Sequence, residues 1–455
     1  MSSEDAPHDL PDYATSGPNA SLTHHPHSRS ASTTHLLQPS EQDIQKSLEP
    51  SVNGYDPAYR YTSYTDNPEY GPGQSTETFK EEKPVPLVKT VAFQDLEYAE
   101  PFDAGRSHFQ SEKPPTMFER YLGKYPLEQR IADKQRGVGI QKYPIVVWLL
   151  SIAMLGVLVY ELVVNGKAQG TPVSFKPVVN PMLGPSEYAL INLGARFPPC
   201  MKLVQGVPLT TQFPCLNDTA NPPDRICPLE NICGFGGFHD KAPDQSFRFV
   251  TPVFLHAGIV HYALNMLAQL TVSAQVEREM GSITFIVLYF AAGIFGNVLG
   301  GNFALVGAPS VGASGAIFGT TAVAWVDLLA HWKYQYRPVR KLMFMIVELI
   351  IGIGLGFIPY VDNFAHLGGL LMGLLVGMVF YPIISATVRH RTIVWCFRVA
   401  AIPLAIVLFV VLIRNFYTSN PYAACSWCRY LSCIPTSANN HCQGTGLSMT
   451  SSSSV

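Results

Sequence analysis

Residues 1 to about 140 lack any sustained apolar period. Ser, Thr, Pro, His and Tyr dominate this stretch. It has too little apolar surface to offset the entropy of ordering, so residues 1–140 are predicted to form a disordered region. Its Ser, Thr and Tyr content suits phosphorylation or sorting signals. The opening "MSSEDAPHDL" has no apolar core, which argues against a cleaved secretory signal. Charge is scarce and balanced. The 31 Lys and Arg against 33 Asp and Glu leave a formal net charge of −2, which argues against a nucleic-acid partner. No HExxH motif occurs and no carboxylate is interleaved with the histidines discussed below, so neither a metal site nor a cofactor is expected.

Past residue 140 the sequence is mostly apolar. A spanning helix needs roughly 20 such residues. Seven segments qualify: 143–164, 251–274, 282–301, a fourth from just after Gly312 to about Leu329, 342–358, 363–384 and 393–413. The expected fold is therefore an all-α polytopic membrane protein with seven transmembrane helices. Residues 165–250 form a long loop after the first helix, and 414–455 form a tail. Arg398 in the last helix lies near an end, where its stem can snorkel.

Short-loop Lys and Arg set the orientation. Lys333, Arg337, Arg340 and Lys341 follow the fourth segment, Arg389 and Arg391 follow the sixth, and Arg278 follows the second. Lys134, Arg136 and Lys142 precede the first. The short loops between the third and fourth and between the fifth and sixth segments carry none. The N-terminus is thus expected in the cytosol and the C-terminus in the lumen or outside. The cysteines agree: Cys200, Cys215, Cys227 and Cys233 lie in the long loop, and Cys425, Cys428, Cys433 and Cys442 in the tail. Both groups fall on the side assigned as oxidising, where disulfides persist. Pairing is expected within each group of four. "CSWC" in the tail also has the spacing of zinc ligands. Asn217 ("NDT") is a glycosylation candidate on the same side, whereas the sequon at Asn19 faces the cytosol.

Polar groups inside membrane helices are expensive and tend to mark function. Ser314 starts the fourth helix and His366 lies near the corresponding end of the sixth. Ala365, Gly369, Gly373 and Gly377 recur every four residues in the sixth, and Gly315 and Gly319 answer in the fourth. Such faces let two backbones approach closely. A hydroxyl and an imidazole brought together this way form a nucleophile and its base. His261 and Asn265, four apart on one helical face, are candidate oxyanion donors together with the Ser314 amide. His256 falls on another face and reads as a hydrogen-bonding structural residue. Asp362 precedes His366 by four residues and reads as a helix cap, leaving a Ser–His dyad.

At these residues the chain resembles the rhomboid family of intramembrane serine proteases, over about residues 180–385. "GASG" (312–315) resembles the family's GxSG, "AHLGGLLMG" (365–373) its AHxxGxxxG, and "HAGIVHYALN" (256–265) its HxxxxHxxxN. Glu277 in "VEREMGS" matches the acidic residue after that helix. "NPMLGPS" (180–186) and the added seventh helix resemble the eukaryotic, secretase-type branch. The resemblance implies a rhomboid-like bundle whose catalytic core spans 251–384. Ser314 and His366 are the implied dyad, and His261 and Asn265 the implied oxyanion donors. His256, Gly312, Gly315, Glu277, Arg248, Gly369 and Gly373 are implied supports. Two positions depart from the pattern: Phe247-Arg248 stands for a Trp-Arg pair, and Phe318 for a tyrosine that stacks on the histidine in some bacterial members.

The implied activity is hydrolysis of single-pass membrane proteins within or beside their transmembrane segments, in the secretory pathway or plasma membrane. The partners are then those substrates and the lipid bilayer. Two other readings compete. One is a catalytically silent rhomboid-like protein that binds membrane clients for trafficking or degradation. The other is a transporter, against which the core offers only Glu161 and an isolated Glu348 as carboxylates.

Overall fold

The structure, a computed structural model, describes residues 114–419 together with 425, 427–435, 442 and 445–447. The disorder expected for 1–113 and the Asn19 sequon lie outside the described residues. Residues 114–140 correct the prediction of a disordered region reaching 140. They carry helix α1 (Met117–Leu122) and helix α2 (Leu127–Gln135). Thr116 and Glu119 close a capping box on α1, and Gly123 in the left-handed region ends it. Lys134 then reaches far along the chain. Its ammonium lies 2.6 Å from Asp327, 3.1 Å from Glu279 and 2.8 Å from the Tyr381 hydroxyl. Ion pairs to distant residues hold this segment, and hydropathy cannot register them.

Each of the seven apolar segments contains a helix. The first is α3 (Ile145–Gln169). The long loop folds into α4 (Glu187–Asn192), α5 (Pro198–Met201), a hairpin of β1 (Gln212–Pro214) and β2 (Ile226–Pro228), and α6 (Leu229–Cys233). Phe213 of β1 sits opposite Cys227 of β2. The loop has its own small core of Phe197, Phe213, Leu229 and Ile232. Disulfides Cys200–Cys233 and Cys215–Cys227 staple it, and the tail pairs Cys425–Cys428 and Cys433–Cys442. Pairing is thus within each group of four, and "CSWC" is a disulfide. Asn217 is exposed.

The second segment does not run from 251 as predicted. Thr251–Val253 is a single 3-10 turn, and α7 begins only at Ile259 (Ile259–Ala268). The physical reason is Gly258, whose backbone presses on the "NPMLGPS" loop; a Cβ there would lie 2.3 Å from the Met182 carbonyl oxygen. A π turn (Gln269–Ser273) links α7 to α8 (Ala274–Met280). There follow α9 (Ser282–Phe303), α10 (Ser314–Ala330), α11 (Pro338–Leu355), α12 (Asn363–Phe380) and α13 (Val388–Thr418). Pro382 follows the end of α12, so the sixth segment stops short of the predicted 384.

Among the described residues α3, α9, α12 and α13 are long and apolar enough to cross a membrane. The other three segments fall short for identifiable reasons. The run 259–280 is interrupted by the π turn, α11 carries Arg340, Lys341 and Glu348, and α10 has 17 residues. At 1.5 Å per residue, α10 is about 25 Å long against a hydrocarbon core of about 30 Å. Helices α9, α10 and α12 form the centre, around Phe285, Leu288, Phe295, Ala316 and Met372. By contrast, α11 buries only Met345.

Candidate active site

The close approach of α10 and α12 decides where the two polar residues meet. A Cβ on Gly369 would lie 1.9 Å from the Gly315 carbonyl oxygen, and one on Gly373 2.4 Å from that of Gly319. Only glycine fits such a contact. Ser314 is the first residue of α10, and His366 lies in the first turn of α12. Both therefore sit at the same end of the bundle. The Ser314 Oγ is 2.9 Å from His366 Nε2. With the imidazole proton on Nδ1, the hydroxyl donates to Nε2, the geometry general-base activation requires. Phe318, one turn along α10, stacks on the His366 ring at 4.3 Å and 9°.

A third, acidic member is absent from this arrangement. His366 Nδ1 has no hydrogen-bond partner among the described residues. Asp362 is otherwise engaged. Its Oδ1 accepts from the Phe364 N–H (2.9 Å) and the Ser432 hydroxyl (2.9 Å), and its Oδ2 pairs with Arg196 at 2.7 Å. The cap read from sequence is there. The Arg196 pair was not legible, because its two members stand 166 residues apart and no local pattern links them.

The oxyanion candidates face the same cavity as the pair. It measures about 430 Å³ and is lined by Ser314, His366, His261, Asn265, Met182 and the apolar faces of α7 and α11. The Ala257 N–H donates to His261 Nδ1 at 3.2 Å. That places the His261 proton on Nε2, which is left as a donor. The Asn265 side-chain NH₂ is buried with no acceptor among the described residues. Ser314 is the first residue of a helix, so its backbone N–H has no intrahelical acceptor. Gly312 is what lets His261 come so near. Its φ is +131°, and a Cβ would meet the His261 ring at 2.7 Å.

His256 lies just ahead of the helix that carries His261 and Asn265. It precedes α7, so helical spacing does not govern it, and neither ring nitrogen has a hydrogen-bond partner among the described residues. Its ring instead packs edge-on to His261 and Tyr262, at 5.5 and 5.2 Å. Its backbone N–H donates to Glu161 of α3 at 3.0 Å. Ring packing and backbone anchoring are the contacts that hold it here.

The remaining predicted supports sit farther out. Arg248 donates to the carbonyls of Ile191, Ala195 and Cys233 and to Gln245, tying the long loop together. Glu277 accepts from the N–H groups of Val146 and Val147 (3.0 and 2.8 Å), anchoring the start of α3. Asn180, inside the "NPMLGPS" loop, donates to the Ala257 carbonyl at 2.8 Å and so fixes the approach to His261. The motif drew attention to the loop but not to that contact.

A family model described as a Rhomboid domain matches residues 243–383. The chain is 36% identical over 385 residues to Rhomboid-type serine protease 2 of Emericella nidulans, a match covering 70% of this chain and 76% of the relative. It is 34% identical to RHOMBOID-like protein 1 of Arabidopsis thaliana, over 42% of this chain and 54% of that one. It is also 31% identical to Inactive rhomboid protein 1 of Rattus norvegicus, over 46% of this chain but only 24% of the relative. Similarity thus extends to relatives named as protease and to relatives named as inactive.

Proposed function

The chain belongs to the rhomboid family, and from that premise we propose that it is an intramembrane serine endopeptidase working through a Ser314–His366 dyad. Family membership alone leaves activity open, since relatives named as inactive share it. The observation that carries the reading is the 2.9 Å contact between Ser314 Oγ and His366 Nε2, at a cavity where the Asn265 donor has no partner among the described residues. His366 takes the serine proton as the hydroxyl attacks a peptide carbonyl. His261, Asn265 and the Ser314 amide receive the developing oxyanion. The protonated His366 then releases the amine, and water hydrolyses the acyl-enzyme by the same steps.

The substrates proposed are single-pass membrane proteins cut near the lumenal or extracellular face. Two features support that side. The disulfide-stapled loop and tail lie at the Ser314 end, and disulfides persist in oxidising compartments; the basic short loops belong to the opposite end. A spanning helix hides its carbonyls in hydrogen bonds, so helix-weakening residues should help a substrate enter the site. Replacing a substrate's Gly or Pro near the cut with Leu is expected to slow release.

The test is release of a tagged ectodomain from single-pass reporters, comparing wild type with Ser314→Ala and His366→Ala at matched expression. Both variants are expected to abolish release. Equal release from all three, or none from any across several reporters, would favour the client-binding reading.

A further inference from the structure

One ionisable group in the membrane core is left over by this mechanism. Glu348 lies mid-way along α11, on the wall of the same cavity that holds Ser314 and His366. The wall around it is mostly apolar, with Leu264 and Leu267 from α7 and Val347, Ile351 and Leu355 from α11. Thr321 donates to Glu348 Oε1 at 3.3 Å, a long bond. The other carboxyl oxygen has no hydrogen-bond partner among the described residues. A carboxyl at membrane depth is costly without partners, and such groups mark function by default.

Its place along the cavity is fixed by two contacts between α10 and α11. Phe318, stacked on His366, packs against Gly352; a Cβ there would lie 2.4 Å from the Phe318 ring. One turn farther from the dyad, Thr321 meets Glu348, four residues before Gly352. Thr321 is seven residues after Ser314, hence on the same face and about 10 Å deeper. A substrate segment entering between α7 and α11 with its carbonyl at Ser314 must pass this carboxyl. For a substrate whose ectodomain is N-terminal, the residues beyond the cut bond descend past Glu348. A rise of about 10 Å corresponds to about seven residues if that stretch is helical and about three if it is extended.

We propose that Glu348 forms a subsite for a hydrogen-bond-donating side chain, Lys above all, lying about three to seven residues C-terminal to the cleaved bond. This deepens the protease reading and rests on it. The donor and the carboxyl satisfy each other out of water, whereas an apolar side chain leaves one carboxyl oxygen unpaired and an acidic one faces it with like charge.

The experiment uses the full-length enzyme in detergent with synthetic membrane-segment peptides. The peptides carry Leu, Asn, Lys or Glu in turn at positions three to eight beyond the cut site, and kcat/KM is measured with Ser314→Ala as the blank. At the matching position the wild type is expected to prefer Lys over Leu by about tenfold or more. Asn should fall between them and Glu below Leu. Glu348→Gln should collapse the Lys-to-Leu ratio towards one, and Glu348→Lys should invert it in favour of Glu. A ratio near one at every position in the wild type overturns the proposal, and the substrate scan needs no enzyme variant to show it. So does a Lys preference that persists in Glu348→Gln. If Glu348 only latched α11 to Thr321, the variants would change all four peptides by one common factor, which also overturns it. Absence of any Ser314-dependent cleavage is a different result, and it overturns the protease reading along with the subsite.

Discussion

His366 has two ring nitrogens in different surroundings, and the difference sets what the residue can do. Nε2 meets the serine hydroxyl, while Nδ1 finds no carboxylate among the described residues, and both oxygens of Asp362 are engaged in capping α12 and pairing with Arg196. Orientation of the imidazole falls instead to Phe318, stacked on its face. This makes Asp362 a structural residue. Asp362→Asn leaves the buried Arg196 guanidinium without its anion, and removing one member of a buried pair costs about 3–5 kcal/mol. Thermal unfolding should show that loss, while kcat of the folded enzyme falls far less than the roughly 10⁴-fold seen when a true triad carboxylate is neutralised. At Asn265, the proposed oxyanion donor, the opposite balance is expected. Asn265→Ala removes a donor with no partner among the described residues, so kcat should fall by about 10²–10³-fold with little change in thermal stability.

Between helices, the decisive contact is backbone against backbone. Gly369 and Gly373 on α12 face Gly315 and Gly319 on α10 with no room for a methyl group. Gly369→Ala must therefore push apart the two helices that carry His366 and Ser314, the proposed base and nucleophile. Overpacking of this kind costs typically about 1–3 kcal/mol. Activity should suffer more than stability, since a displacement of about 1 Å at the reacting atoms can cost about 100-fold. Comparing kcat with the unfolding midpoint for the same variant separates the two effects. This interface was legible beforehand, because a four-residue repeat of small residues has a single geometric use in a membrane helix. The start of α7 was not. The apolar run 251–258 gives no sign of the close contact between Gly258 and the Met182 carbonyl that precedes the helix start at Ile259.

Over the whole molecule, the ends of α8, α10 and α12 remote from the dyad meet at Lys134. Burial alone would lower its pKa, but Glu279 and Asp327 outweigh that effect and raise it above the ordinary 10.5. A lysine with a raised folded-state pKa contributes stability that is fully present below its unfolded value and is lost as pH rises through the folded one. Lys134→Met should therefore destabilise the protein by about 3 kcal/mol, since it leaves buried carboxylates short of a cation. The gap from wild type should stay constant between about pH 6 and 9 in unfolding measurements and narrow in strong alkali, where Lys134 loses its proton, and in acid, where its carboxylate partners gain theirs. The segment ahead of α3 is thus part of the folded unit, although its composition resembles that of the polar stretch before it.

The sequence by itself determined what repeats or alternates along the chain. The seven apolar segments, the glycine stripe, the paired groups of cysteines and the motifs around Ser314, His366, His261 and Asn265 are all local patterns. Local patterns survive without knowledge of the fold because each answers to a short-range constraint, helix period or spanning length. Tertiary structure alone decided the rest. It brought Arg196 to Asp362 and Lys134 to Asp327, turned His256 into a packing residue, and set Glu348 in the wall of the serine's own cavity. Each of these joins residues far apart in the chain or outside helical register. Their partners are fixed by how the helices pack, and no spacing in the sequence records that.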